Sequence, residues 1–299
     1  MGFIRALLGC LTWLLTPQLA VADVRPNGVI GNTLCLNADP SHALGTYGLI
    51  EKVLGSGAIE SPSDGVSNPR RPHIITVPGD SAVGPHFSIL ANEPNDVNLD
   101  RVPMSMGGDR SRTEIKLAPS SGGSQDAFKA REGDTFVYAW RFRISPAMKF
   151  STSFTHLHQI KAFGGDFSDA PLITFTPLSN GQMEIRYVGD QKSESTTYSK
   201  LQAISLTGLT GQWLDVREEI TYSNTLGRYR LIIVDQQGQE RINLDRSGLA
   251  LWREGADHMR PKWGIYRKHH PALNQHADDV VDFANFAITR GKVPDSTCR

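Results

Sequence analysis

Three short runs of this sequence combine groups that can hold an anion with groups that can move a proton. In Arg110-Ser111-Arg112-Thr113-Glu114-Ile115-Lys116-Leu117, strand alternation sends Ile115 and Leu117 to a core. Arg110, Arg112, Glu114 and Lys116 then share the other face. In His156-Leu157-His158-Gln159-Ile160-Lys161-Ala162, Ile160 and Ala162 look inward, so Gln159 and Lys161 look outward. His158 adjoins Gln159, and both it and His156 fall on the inward face unless a bulge intervenes. In Lys262-Trp263-Gly264-Ile265-Tyr266, packing of Trp263 and Ile265 leaves Lys262, Gly264 and Tyr266 outside, with Gly264 small enough for a ligand to approach the backbone. Guanidinium, ammonium and amide groups can neutralise a carboxylate, and a phenol can carry a proton. If the three runs lie on one sheet, they form a basic groove suited to an anionic ligand.

The elements that must position them are strands. Thr135 to Ile144 alternates, with Phe136, Tyr138, Trp140, Phe142 and Ile144 on one face and Arg141 and Arg143 on the other. Similar runs occur at 111–117, 154–163, 171–177, 183–188, 213–222, 228–235, 262–267 and 280–289, separated by turns such as Ser179-Asn180-Gly181. Helical periodicity is hard to find. About a dozen short strands imply a sandwich or barrel, and one all-β domain of this size is ordinary. The Gly-, Ser- and Pro-containing stretch 54–72 reads as loop.

The 299 residues are 39% hydrophobic, and 31 basic residues balance 31 acidic ones. The apolar share can build a core, and the zero net charge gives no bulk attraction to nucleic acid or an anionic membrane. Residues 1–22 resemble a secretory signal peptide: Arg5, an apolar stretch from Ala6 to Leu15, then Ala20-Val21-Ala22 before Asp23. That stretch is too short to span a bilayer. A single domain, 23–299, is expected outside the cytoplasm, extracellular or periplasmic, with no membrane attachment after signal removal and as a monomer. Only Cys35 and Cys298 then remain, which favours one disulfide joining them, with free thiols as the other outcome. Two cysteines provide no zinc site.

The same residues carry a family resemblance. Arg112-Thr113-Glu114-Ile115-Lys116 resembles the R-[ST]-E-L-R strand of jelly-roll alginate lyases, and Gln159-Ile160-Lys161 resembles their Q-I-H strand. Lys262-Trp263-Gly264-Ile265-Tyr266 is similar to the K-x-G-x-Y strand that they share with heparin lyase I-like enzymes and glucuronan lyases. The resemblance spans roughly residues 75 to 290 and keeps the order of the motifs. It implies a β-jelly-roll sandwich with a concave groove, and a lyase cutting a uronic-acid polymer by β-elimination. Arg112, Gln159 and Lys161 would neutralise the sugar carboxylate, and Tyr266 would move the proton with Lys262 beside it. Arg110, Glu114, Lys116, Arg141, Arg143, His158 and the rim residue His269 are expected to contact substrate.

Lys161 stands where the alginate-lyase pattern has histidine, so two readings stay open. Either Tyr266 is both base and acid, or another histidine fills the gap. No E-x-D-x-E strand, G-x-S-x-G elbow, P-loop or H-E-x-x-H motif is present, which disfavours hydrolase and nucleotide chemistry. No cofactor is required, although Asp166 and Asp169 could join a structural calcium site. The competing function is a non-catalytic, lectin-like sandwich that binds anionic glycans.

Overall fold

The computed structural model describes residues 25–62, 72–91, 109–118, 122–189, 197–268, 279–292 and 298. The signal-like segment 1–22 and His269 lie outside them. Two antiparallel sheets stack face to face. The first contains β1 (Gly28–Ile30), β2 (Thr33–Leu36), β4 (Ile74–Val77), β5 (His86–Ala91), β7 (Thr135–Ile144), β12 (Leu214–Thr221), β13 (Gly227–Val234), β14 (Glu240–Leu249) and β16 (Asp279–Arg290). Its order is β1-β2-β16-β7-β12-β13-β14, with β5 also on β16 and β4 on β5. The second sheet runs β11 (Ser199–Ser205), β10 (Gln182–Tyr187), β9 (Ile173–Pro177), β8 (Thr155–Phe163), β15 (His258–Lys268), β6 (Arg110–Lys116) and β3 (Ile59–Glu60).

The alternation read in β7 holds to the residue. Phe136, Tyr138, Trp140, Phe142 and Ile144 are all buried between the sheets. They meet the inner face of the second sheet, with Trp140 5.8 Å from Trp263 and 5.6 Å from Phe175, ring centre to ring centre. Aromatic pairs at these separations add about 0.5–1.5 kcal/mol each beyond their area.

Several elements escaped the sequence reading. One helix, α1 (Gly45–Leu54), buries Leu49, Ile50, Val53 and Leu54. Its apolar stripe is under two turns long, too brief to show as periodicity. It ends at Gly55, whose φ of 99° suits glycine. The stretch 54–72 is not all loop, because residues 59–60 form β3 on the edge of the second sheet. Strand β14 is mostly exposed and charged outside Ile242 and Leu244, so its alternation has few apolar markers. Cys35 and Cys298 form a disulfide with Cα atoms 5.3 Å apart, packed beside Ala139 and Ala287. It closes a 263-residue separation, for which loop entropy gives about 5 kcal/mol.

Candidate active site

Strand β15 lies between β6 and β8, so all three sequence runs share the second sheet. Tyr266 is opposite Arg112 on β6 and His156 on β8, while Lys262 is opposite Lys116 and Gln159. The β15–β8 register slips between Trp263 and Tyr266, where β15 carries one residue more than β8. Because of that bulge, His158 and Leu157 both pack inward, and His156 emerges beside Tyr266 on the groove face. The inward placement expected of His156 is therefore corrected. Gly264 sits in the bulge at φ 144°, and a Cβ there would lie 2.1 Å from the Thr113 carbonyl oxygen. The glycine serves the close approach of β6 rather than that of a ligand. With no side chain at 264, Gln159 can reach across β15 to Glu114 on β6.

The charged face is not a solvated surface. Arg112 and Lys116 are 8% exposed, Lys262 is 1% and Glu114 is 0%. Such burial is tolerable only because the charges satisfy one another. Glu60 of β3, which the sequence reading missed, is the hub. Arg112 donates to it at 3.0 Å, and Lys116 and Lys262 also donate to it. Glu114 accepts from Gln159, and pairs with Arg112 and Lys262 at 3.3 Å each. Burial pushes the Glu60 carboxyl upward, but Lys262, Lys116 and Arg112 outweigh it and hold the group well below the usual carboxylate range. Burial lowers the Lys116 ammonium, with Glu60 opposing. Three cations face two carboxylates, and both carboxylates are already occupied.

Around Tyr266 the arrangement is more open, and its ring is half-buried. The Arg112 guanidinium carbon lies 3.7 Å over the ring centre, a geometry worth about 1–2 kcal/mol when partly desolvated. Phe154 packs 5.2 Å from Tyr266 and stacks on His156 at 4.6 Å. The His156 ring is 6.0 Å from Tyr266, and its Nδ1 is 2.9 Å from Thr176 Oγ1. Burial, then the neighbouring Arg186, Arg112 and Lys161 charges, push the His156 imidazole down to about 3. It is neutral at any ordinary pH. Lys161 donates to the Asp169 carbonyl at 3.0 Å. Burial, with Lys262 and Arg112 nearby, pushes its ammonium down to about 8.

The structure thus gathers Arg112, Glu114, Lys116, Gln159, Lys262 and Tyr266, with Lys161 two cross-strand pairs further along, opposite Arg260. Arg110 stands at the strand end, partly exposed, 3.6 Å from Asp109. Three expected substrate contacts are corrected. Arg141 and Arg143 lie on β7 in the other sheet, where Arg141 pairs with Asp215 and Arg143 with Asp80 and Asp282. Their alternation was right, but sequence does not say which sheet a strand joins. His158 points into the core, its ring 4.4 Å from that of Trp140, with Nε2 2.9 Å from Glu218 and Nδ1 donating to the Lys262 carbonyl at 2.9 Å. Among the described residues no three His, Cys, Asp or Glu side chains gather to hold a metal ion.

Residues 79–285, more than half of the chain, match the polysaccharide lyase family. No curated protein matches. Among solved structures, the fold is similar to the PL-14 alginate lyase of Aplysia kurodai, at 12% identity and TM-score 0.56, covering 86% of this chain and 98% of that one. It is also similar to alginate lyase Aly36B, at 12% identity and TM-score 0.52 over 89% and 99% of the two chains. A variant of the family 7 alginate lyase A1-II′ in complex with substrate aligns at 10% identity and TM-score 0.51, over 79% and 92%. At such identities these likenesses concern the fold, and it is the sequence match that assigns the chain: it belongs to the polysaccharide lyase family.

Proposed function

We propose that the protein is an exported lyase that cuts a uronic-acid polysaccharide by β-elimination in the groove of the second sheet. The observation that carries this reading is the accessible Tyr266 phenol held between the Arg112 guanidinium and the neutral His156 ring, with the Gln159 amide in the same hydrogen-bonded set. Elimination begins with loss of the proton at C5, next to the sugar carboxylate, which builds negative charge on that carboxylate. Arg112 uses Nη1 for both Glu60 and Glu114, which leaves Nη2 for the sugar. Gln159 gives one amide proton to Glu114 and has a second to offer. Donors fixed before the charge develops stabilise the transition state rather than the ground state. Glu60 and Glu114 keep them fixed.

Tyr266 takes the C5 proton as phenolate and, as phenol, returns a proton to the glycosidic oxygen as the C4–O bond breaks. The product is a C4–C5 double bond conjugated with the carboxylate. A second reading gives the C5 proton to His156 and leaves Tyr266 as the acid, and the place of the His156 ring 6.0 Å from Tyr266 on the same face favours it. Neither reading calls for a metal, because guanidinium and amide supply the neutralisation. Export is supported by the signal-like segment 1–22 together with the Cys35–Cys298 disulfide. Glucuronan-like, alginate-like and heparin-like chains all present the required carboxylate, in falling order of preference.

Incubation with such polymers, followed by ultraviolet absorbance of the unsaturated product, tests the reaction. Tyr266→Phe abolishes the signal while polymer binding persists, and full activity in that variant would remove the assigned role. His156→Ala separates the two readings. A loss of more than about a hundredfold in kcat makes it the base, whereas a loss under about tenfold leaves Tyr266 with both tasks.

A further inference from the structure

We infer that Arg260 and Lys161 form a second anion subsite, which takes the carboxylate of a uronate residue other than the one being cleaved. The inference rests on the lyase reading above, since that reading makes the ligand a chain of acidic sugars. Arg260 lies on the groove face of β15, two residues from Lys262, and is paired across the strands with Lys161. Relative to Gly264 at the centre of the reacting groups, its backbone is displaced by about 13 Å, four residues at the strand rise. That displacement exceeds the width of one sugar ring.

What marks the pair is charge without a carboxylate partner among the described residues. Arg112, Lys116 and Lys262 are matched by Glu60 and Glu114. Arg260 is only 7% exposed, yet among the described residues no carboxylate pairs with it, and its Nε and Nη1 have no hydrogen-bond partner. Its guanidinium carbon rests 5.0 Å from the centre of the Phe163 ring. Among the described residues Lys161 reaches the Asp169 carbonyl and no carboxylate. Burial lowers both groups from their ordinary values, and the carboxylates of Glu60 and Glu114 are felt by Arg260 only at a distance. A buried guanidinium beside a half-buried ammonium, with no carboxylate on either among the described residues, is costly in the empty protein. A bound carboxylate removes that cost, because a guanidinium and an ammonium on adjacent strands can share its negative charge.

The experiment compares Arg260→Gln and Arg260→Lys with the wild type, on polyglucuronate and alginate and on the corresponding trisaccharides. Arg260→Gln is expected to raise KM for the cleaved polymer about tenfold with kcat nearly held, as for loss of one charged hydrogen bond. The preference for polymer over trisaccharide falls by the same factor, and Arg260→Lys recovers much of it. The unfolding temperature of Arg260→Gln stays level or rises, because an unpaired charge has been removed. An unchanged KM, an equal loss on polymer and trisaccharide, or a lowered unfolding temperature would overturn the subsite. A wild-type protein that makes no unsaturated product fails the lyase reading instead. Affinity electrophoresis in the same two polymers then decides the subsite separately, with equal retention of wild type and Arg260→Gln counting against it.

Discussion

Replacing Glu60 by Gln keeps the shape of the hub and removes its charge. In the wild type one carboxylate accepts from Arg112, Lys116 and Lys262 within a nearly sealed face. Each ion pair at contact is worth about 4 kcal/mol at an effective dielectric of 20, and the desolvation of Glu60 offsets much of the total. What remains is the cost of leaving buried cations uncompensated, about 3–5 kcal/mol. Three cations then face Glu114 alone. Urea unfolding at pH 7, with the wild-type slope retained, should show a loss of that size, and kcat should fall because Arg112 loses its anchor. The sign of the pH dependence follows from the depressed Glu60 carboxyl. Its stabilisation is fully present above the ordinary carboxylate value and is lost as pH falls through the folded one. The gap between wild type and Glu60→Gln should therefore be constant through neutrality and shrink only in acid. A loss under about 1 kcal/mol at pH 7, or a gap that widens as pH falls, would refute the idea that Glu60 organises the site.

Two further outcomes can be checked. Gly264→Ala places a Cβ 2.1 Å from the Thr113 carbonyl at a φ that only glycine adopts readily, so a loss of about 3 kcal/mol or more is expected by thermal melting; an unfolding temperature within two or so degrees of wild type would contradict it. Lys161, titrating at about 8, loses its charge as pH rises through that value, so polymer affinity should weaken there. Lys161→Arg should abolish this alkaline limb, and its persistence would assign the limb to another group.

Local pattern revealed the faces of the strands but not their neighbours. Phe136 to Ile144 and Ile115 with Leu117 fix which side of each strand is apolar, because the period of two is strict. Arg141 and Arg143 obey the same rule and still miss the groove, since they belong to the other sheet. Glu60 lies in a two-residue strand with no alternation to read. His156 escaped because its side depends on an extra residue in a different strand, β15. Arg260 was invisible for another reason: it precedes the alternating run at 262–267, and an arginine looks ordinary until its carboxylate partners are counted.

That extra residue makes strand length a chemical variable. Removing one position between Lys262 and Tyr266 would bring β15 and β8 into one-to-one register, turn the hydroxyl-bearing ring toward the tryptophans, and present isoleucine to the sugar. One residue of strand length thus decides which ring and which side chain the sugar meets.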